Sequence, residues 1–155
     1  MQRTPAGAAA TRLILSTFRT HGLLLEAGNL LSANEGLTSA RWQVLGAIAL
    51  SERRLTVPQI ARRMGLTRQS VHATVARLIR DGLVELVPNE DHRRSAFVGL
   101  TEAGLSRYRA IDRRQAAWAN GLAREIARSD LDTAARVLDE LGRRLESDGA
   151  TGAGR

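Results

Sequence analysis

Apolar residues recur at helical spacing along residues 11–32, with Ile14, Phe18, His21 and Leu25 on one stripe and Leu13, Leu24 and Leu31 on another. No proline interrupts them, and the pattern predicts a long first helix. Asn34, Glu35 and Gly36 supply a turn, after which Thr38 is placed to cap a second helix carrying Trp42, Leu45 and Ile48 on one side and ending near Ser51. A short third helix is expected at 58–64, because proline is tolerated in a first helical turn and Gly65 can adopt the left-handed stop. Thr67 then caps a fourth helix, 68–81, with Val71, Val75, Leu78 and Ile79 inward and Gly82 at its end. The period next switches to that of strands: 83–87 and 95–100 are rich in β-formers, and the polar stretch 88–94 between them makes a hairpin with a charged tip. Thr101 caps a long fifth helix with Leu105, Tyr108, Ile111, Gln115, Trp118, Leu122 and Ile126 in register. Ser129 or Asp130 caps a sixth, whose stripe is Leu131, Ala134, Leu138, Leu141 and Leu145. The expected fold class is mainly α, with six helices and a small β-hairpin. Residues 1–10 are expected to be a flexible start and 147–155 a disordered tail, leaving a single domain at 11–146.

Composition agrees with one compact unit. A chain of 155 residues, 43% of them apolar, buries roughly 70% of its exposable surface on folding and needs no covalent staple. The absence of cysteine removes disulfides, thiolate metal ligation and thiol redox sensing together. The start of the chain lacks the charged-then-apolar pattern of a secretory signal, and no apolar run of about 18 residues could span a bilayer, so a cytoplasmic location is expected. The formal charge of +7 favours a polyanionic partner. Every one of the 23 basic residues is arginine, however, and genome composition produces such a bias as readily as selection for phosphate binding. Where the charge falls along the chain must decide.

It falls on the fourth helix and the hairpin. The order short helix, tight turn, capped helix, charged hairpin is the winged helix-turn-helix plan, in which the second helix of the pair enters a major groove about 12 Å wide and the wing reaches the neighbouring minor groove. An inserted helix must be anchored on one face and short, polar and hydrogen-bonding on the other. Facing outward on the fourth helix are Arg68, Gln69, Ser70, His72, Ala73 and Arg77, mostly in its first two turns behind the cap residue Thr67. Gln69 suits bidentate pairing with adenine, Arg68 with guanine, and Ala73 contact with a thymine methyl, whereas Arg77 lies further along and suits phosphates or an acidic partner within the protein. At the hairpin tip Asp91, His92, Arg93 and Arg94 present two guanidinium groups of the kind a narrow minor groove attracts, with Asp91 placed to orient one of them. Thr56, at the start of the third helix, has two uses open to it: helping a cluster of backbone N–H groups bind a phosphate, or simple helix capping.

Residues 37–45 (Leu-Thr-Ser-Ala-Arg-Trp-Gln-Val-Leu), 55–66 (Leu-Thr-Val-Pro-Gln-Ile-Ala-Arg-Arg-Met-Gly-Leu), 77–84 (Arg-Leu-Ile-Arg-Asp-Gly-Leu-Val), Asp91-His92-Arg93-Arg94, and Leu100-Thr101-Glu102-Ala103-Gly104 together resemble the MarR family of bacterial transcriptional regulators. The likeness runs over roughly residues 13–145. It implies a homodimer whose first, fifth and sixth helices interlock, with a dimerisation region at 11–36 plus 101–146 and a DNA-binding lobe at 38–100. Many members carry Asp-x-Arg with the second Arg at the position of Arg94, which puts His92 where the acid belongs. In the other register Asp91, Arg93 and Arg94 satisfy Asp-x-Arg-Arg, so the resemblance leaves open which arginine enters the groove. Members also lose DNA affinity on binding small, often phenolic or lipophilic, compounds in a cleft between the dimer region and the DNA lobe. The candidates here are His21, Trp42 and Tyr108, although His21 and Trp42 also sit in stripes that serve packing.

The expected function is therefore sequence-specific regulation by a homodimer on a pseudo-palindromic operator, with half-sites roughly 10 bp apart and release by a small effector. The alternative is a winged-helix architectural or protein-interaction module that binds DNA without reading it. An enzyme is not expected: the chain has no glycine-rich phosphate loop, nucleophile elbow or close metal-ligand pair. Its three histidines, His21, His72 and His92, fall on different elements, so neither a metal nor a cofactor is expected.

Overall fold

The computed structural model describes residues 2–90 and 95–152. Among them are six α-helices, a 3-10 turn and a three-stranded antiparallel sheet, and the chain divides into two compact units, Met1–Arg114 and Gln115–Arg155. The first unit holds helices α1 (Pro5–Ser32), α2 (Ser39–Ala49), α3 (Val57–Met64) and α4 (Arg68–Arg80), strands β1 (Leu55–Thr56), β2 (Val84–Val87) and β3 (Phe97–Leu100), and the first part of α5 (Glu102–Leu122). The second holds the rest of α5 and α6 (Arg128–Gly152).

Helix α1 begins at Pro5, well before the expected residue 11, because Thr4 caps it: its Oγ1 accepts from the Gly7 N–H at 3.0 Å, with Pro5 in the first turn. The alanine-rich start thus belongs to the helix, where alanine's high propensity needs no apolar stripe. At its other end α1 crosses the start of α2 closely enough that a Cβ on Gly28 would collide with the Ser39 side chain. Asn29 Oδ1 accepts the Ser39 N–H at 2.8 Å and fixes the crossing. Between the two helices the 3-10 turn Ala33–Glu35 ends at Gly36, whose φ of 67° is the left-handed conformation that the turn requires.

The core of this unit is built where α2, α3 and α4 meet the sheet and α5. Val44 and Leu45 from α2, Ile60 from α3, Val71, Val75 and Leu78 from α4, Val98 from β3 and Ile111 from α5 are all buried. Each such side chain contributes about 1.5–3 kcal/mol on leaving water. Helix α3 ends at Gly65 in the left-handed region, with the Leu66 N–H donating back to the Ala61 carbonyl at 2.9 Å. The sheet order is β1-β3-β2: Leu55 pairs with Val98, and Val84 with Leu100. The expected hairpin is thus present, and β1 is an addition to it.

Four expectations are corrected. Ile79 was expected inward and is 38% exposed, since the buried stripe of α4 runs through Val71, Val75 and Leu78 only. Helix α5 stops at Leu122, short of Ile126. Helix α6 starts at Arg128, ahead of the expected caps. It also continues to Gly152, into the segment expected to be a disordered tail, with Arg143 and Arg144 both paired to Glu140 on the way. Those pairs hold the Glu140 carboxyl below its usual range, the Arg144 hydrogen bond first and the Arg143 charge next.

Candidate nucleic-acid interface

Helix α4 is amphipathic because three residues anchor it and, Ile79 apart, the rest of its surface is short or polar. Val71, Val75 and Leu78 face the core, whereas Arg68, Gln69, Ser70, His72, Ala73 and Arg77 are all exposed. Thr67 caps the helix as expected: its Oγ1 accepts from the Ser70 N–H at 3.1 Å, which commits one backbone N–H at the N-terminus and holds the first turn firm. Arg68, Gln69 and His72 share the wall of a cleft of about 510 Å³ that is completed by Val57 and Pro58 at the start of α3 and by Leu86, Ser95 and Ala96 of the wing. The structure therefore brings the outward residues of α4 together with the base of the wing. Asp91, Arg93 and Arg94, expected at the wing tip, lie outside the described residues.

The base of the wing is tied by Asn89, which is buried and donates from Nδ2 to the Ser95 carbonyl at 3.0 Å, bridging the two sides of the hairpin. The other end of its strands, where they leave the body of the unit, is stapled to α5. Thr101 Oγ1 donates to the Gly82 carbonyl at 2.7 Å and accepts from the Gly104 N–H at 3.0 Å, so one hydroxyl caps α5 and grips the turn that follows α4. Gly104 sits against the Leu83 carbonyl, where a Cβ would overlap it.

Of the two uses open to Thr56, helix capping is present. It is buried, and both its N–H and its hydroxyl donate to Gln59 Oε1, at 2.8 and 3.0 Å, so its side chain is committed to starting α3. Sequence reasoning missed the reason: Thr56 is also the last residue of β1, and a two-residue strand is too short for a period-2 signal. The apolar lining of the cleft, Val57 and Leu86, was likewise not singled out. Leu86 is 56% exposed in an otherwise ordinary strand, a signal that only its neighbours make legible.

Arg77 is exposed on the last turn of α4 and lies near Arg41 of α2. The Arg41 guanidinium loses some of its preference for charge, through burial first and then through the neighbouring charges of Arg107 and Arg77. The three candidates for an effector cleft are spread apart in character. His21 is exposed on α1, Trp42 is half-buried beside Gly28, and Tyr108 is buried with its hydroxyl donating to Asp112 Oδ1 at 3.3 Å. Among the described residues no group of three or more His, Asp or Glu is placed to hold a metal, and no helix is long and apolar enough to cross a membrane.

These features have relatives. Residues 35–95 match the model of the MarR family. An uncharacterized protein of Mycobacterium tuberculosis is 46% identical over 112 residues, 72% of this chain and 77% of its own length. The transcriptional activatory protein BadR of Rhodopseudomonas palustris is 34% identical over 97 residues, 61% of this chain and 55% of its own length. The Mycobacterium tuberculosis transcriptional regulator MOSR, solved in complex with DNA, superposes with a TM-score of 0.73 at 22% identity, covering 86% of this chain and 96% of that one. With the anchored, polar-faced α4, the wing beside it and these likenesses in hand, the chain belongs to the MarR family of winged-helix transcriptional regulators.

Proposed function

We propose that this DNA-binding regulator acts as a homodimer on a pseudo-palindromic operator, each subunit laying α4 in the major groove. Arg68, Gln69, Ser70, His72 and Ala73 read base edges, Thr67 and Arg77 stand at the phosphates on either side, and Arg93 or Arg94, oriented by Asp91, enters the minor groove. The observation that carries this reading is the division of α4: five hydrogen-bonding or short side chains are exposed on its first two turns while its anchors are buried. A module that merely coats DNA needs basic charge and no such set. Dimerisation is supported by α1, where Ile14, Leu15, Phe18, Leu23, Leu24 and Leu30 are exposed around the helix, more apolar surface than a lone helix leaves in water without reason. Regulation is completed by a small phenolic or lipophilic effector that lowers DNA affinity. Trp42, half-open beside Gly28, and His21, exposed on α1, are the candidates with surface to offer it.

Selection of bound sites from random duplex DNA tests the reading. The expected product is an inverted repeat with half-sites roughly 10 bp apart. Recovery of duplexes with no common motif would reject sequence readout and leave the coating module.

A further inference from the structure

Asp81 stands at the C-terminal end of α4, its N–H donating to the Arg77 carbonyl at 3.0 Å. A carboxylate there faces the negative end of the helix dipole and is unfavourable unless a cation answers it. The cation comes from another helix: Arg41 of α2 pairs with Asp81. The Arg41 side chain is 18% exposed and that of Asp81 45%, so burial limits the access of water to the guanidinium while the carboxylate stays open to screening. Arg41 has a second hold, for its Nη1 donates to the Gly36 carbonyl at 3.3 Å. That carbonyl belongs to the residue that ends the turn between α1 and α2, and α5 grips the same turn. Arg107 Nη1 donates to the Glu35 carbonyl at 2.7 Å, and Arg114 donates to Glu35 Oε1 at 2.6 Å and to the Leu31 carbonyl at 3.3 Å. Three arginines from two helices thus converge on one turn, and one of them reaches on to the reading helix.

We propose that Arg41 is a positioning residue for DNA recognition: by holding Asp81 while seated on the turn that Arg107 and Arg114 grip, it transmits the placement of α5 to the end of α4 and so sets how well the operator is discriminated. The linkage runs through charge-assisted hydrogen bonds of 2.6 to 3.3 Å, which are directional and therefore pass on a displacement that apolar packing would absorb. The guanidinium fork is what allows one side chain to hold two elements at once; a lysine ammonium has no such planar fork. The DNA consequence rests on the function proposed above, whereas the mechanical linkage does not.

Two measurements separate them. In the free protein, Arg114→Gln should speed hydrogen exchange of the amides at residues 81–83 by about tenfold while leaving those of α6 unchanged. Faster exchange confined to the turn at 31–36, with 81–83 unaffected, would overturn the linkage. On the selected duplex, Asp81→Asn removes a negative charge and by electrostatics alone should tighten binding to all DNA. The proposal expects the opposite for the operator: the ratio of operator to random-duplex affinity falls by about tenfold, with no loss on random duplex, and Asp81→Glu restores most of it. An unchanged ratio for Asp81→Asn would overturn the positioning role. If selection yields no motif, the operator reading fails by itself and the exchange measurement still decides the linkage.

Discussion

Gly104 shows how much one hydrogen atom in place of a methyl can decide. The first turn of α5 lies on the Leu83 carbonyl, and Thr101 N–H donates to that same oxygen at 3.1 Å, so the helix start and the turn after α4 are locked with no room for a Cβ. Gly104→Ala is expected to destabilise the protein by about 2–3 kcal/mol through overpacking against rigid backbone, read from the midpoint of urea unfolding. A midpoint equal to that of the parent would mean that the two segments separate at little cost. Nothing in the local pattern of 100–104 exposes this need, because the clash is with a residue about twenty positions earlier in the chain. Tyr108 offers a cleaner titration. It is the single tyrosine of the chain, and burial, then the Asp112 charge, then the hydrogen bond to Asp112 raise its phenol above the ordinary value of 10.0. The sign follows: the native state holds the proton more tightly than the unfolded chain, so this contribution to stability is complete below about pH 10 and is lost as pH rises through the native pKa. Phenolate absorbance should titrate above pH 10 in native protein and move down on unfolding, and a native midpoint at or below the unfolded one would remove Asp112 and burial from the account. His72 and Arg68, by contrast, were legible directly, since an exposed polar residue between buried valines needs only the helical period to be placed.

At the scale of elements, caps and glycines were the most readable signals. Thr38, Thr67 and Thr101 each begin a helix as their position ahead of an apolar stripe implied, and Gly36, Gly65 and Gly82 each take a positive φ where a turn was expected. The misplaced boundaries have two physical causes. The early start of α1 and the run of α6 to Gly152 occur where alanine, glycine or charged residues leave no apolar stripe to follow, whereas at α5 the stripe continues to Ile126 beyond the helix end at Leu122. Strand β1 escaped notice because its partner, β3, lies some forty residues away and alone gives its two residues a reason to be extended. The cap of α4 carries a direct prediction. Thr67→Ala should cost about 1 kcal/mol by leaving the Ser70 N–H without its acceptor, while Thr67→Ser should cost little. Equal unfolding midpoints for the two variants would show that the hydroxyl does not bear on stability.

At the scale of the molecule, what the chain does depends on surfaces that one copy leaves open. Phe18 is 71% and Leu24 49% exposed, one on each of the two stripes of α1, and if α1 joins two copies, Phe18→Glu with Leu24→Glu should convert a dimer to a monomer in sedimentation equilibrium without loss of helical circular dichroism. A parent protein that sediments as a monomer at micromolar concentration would contradict the dimer outright. This surface was only half legible: the stripes of α1 were plain in the sequence, yet periodicity alone does not tell a face that packs within the subunit from one that waits for a partner. The division of α4 into anchored and outward sides is the claim on which the rest depends. It is tested most directly by measuring the affinity of the parent and of the Arg68→Ala, Gln69→Ala double variant for the selected operator and for a scrambled duplex at one salt concentration. The account predicts that the variant loses about 2–4 kcal/mol on the operator and far less on the scrambled sequence, so that the preference between them collapses. An operator preference that survives intact in the double variant would mean that another surface reads the DNA.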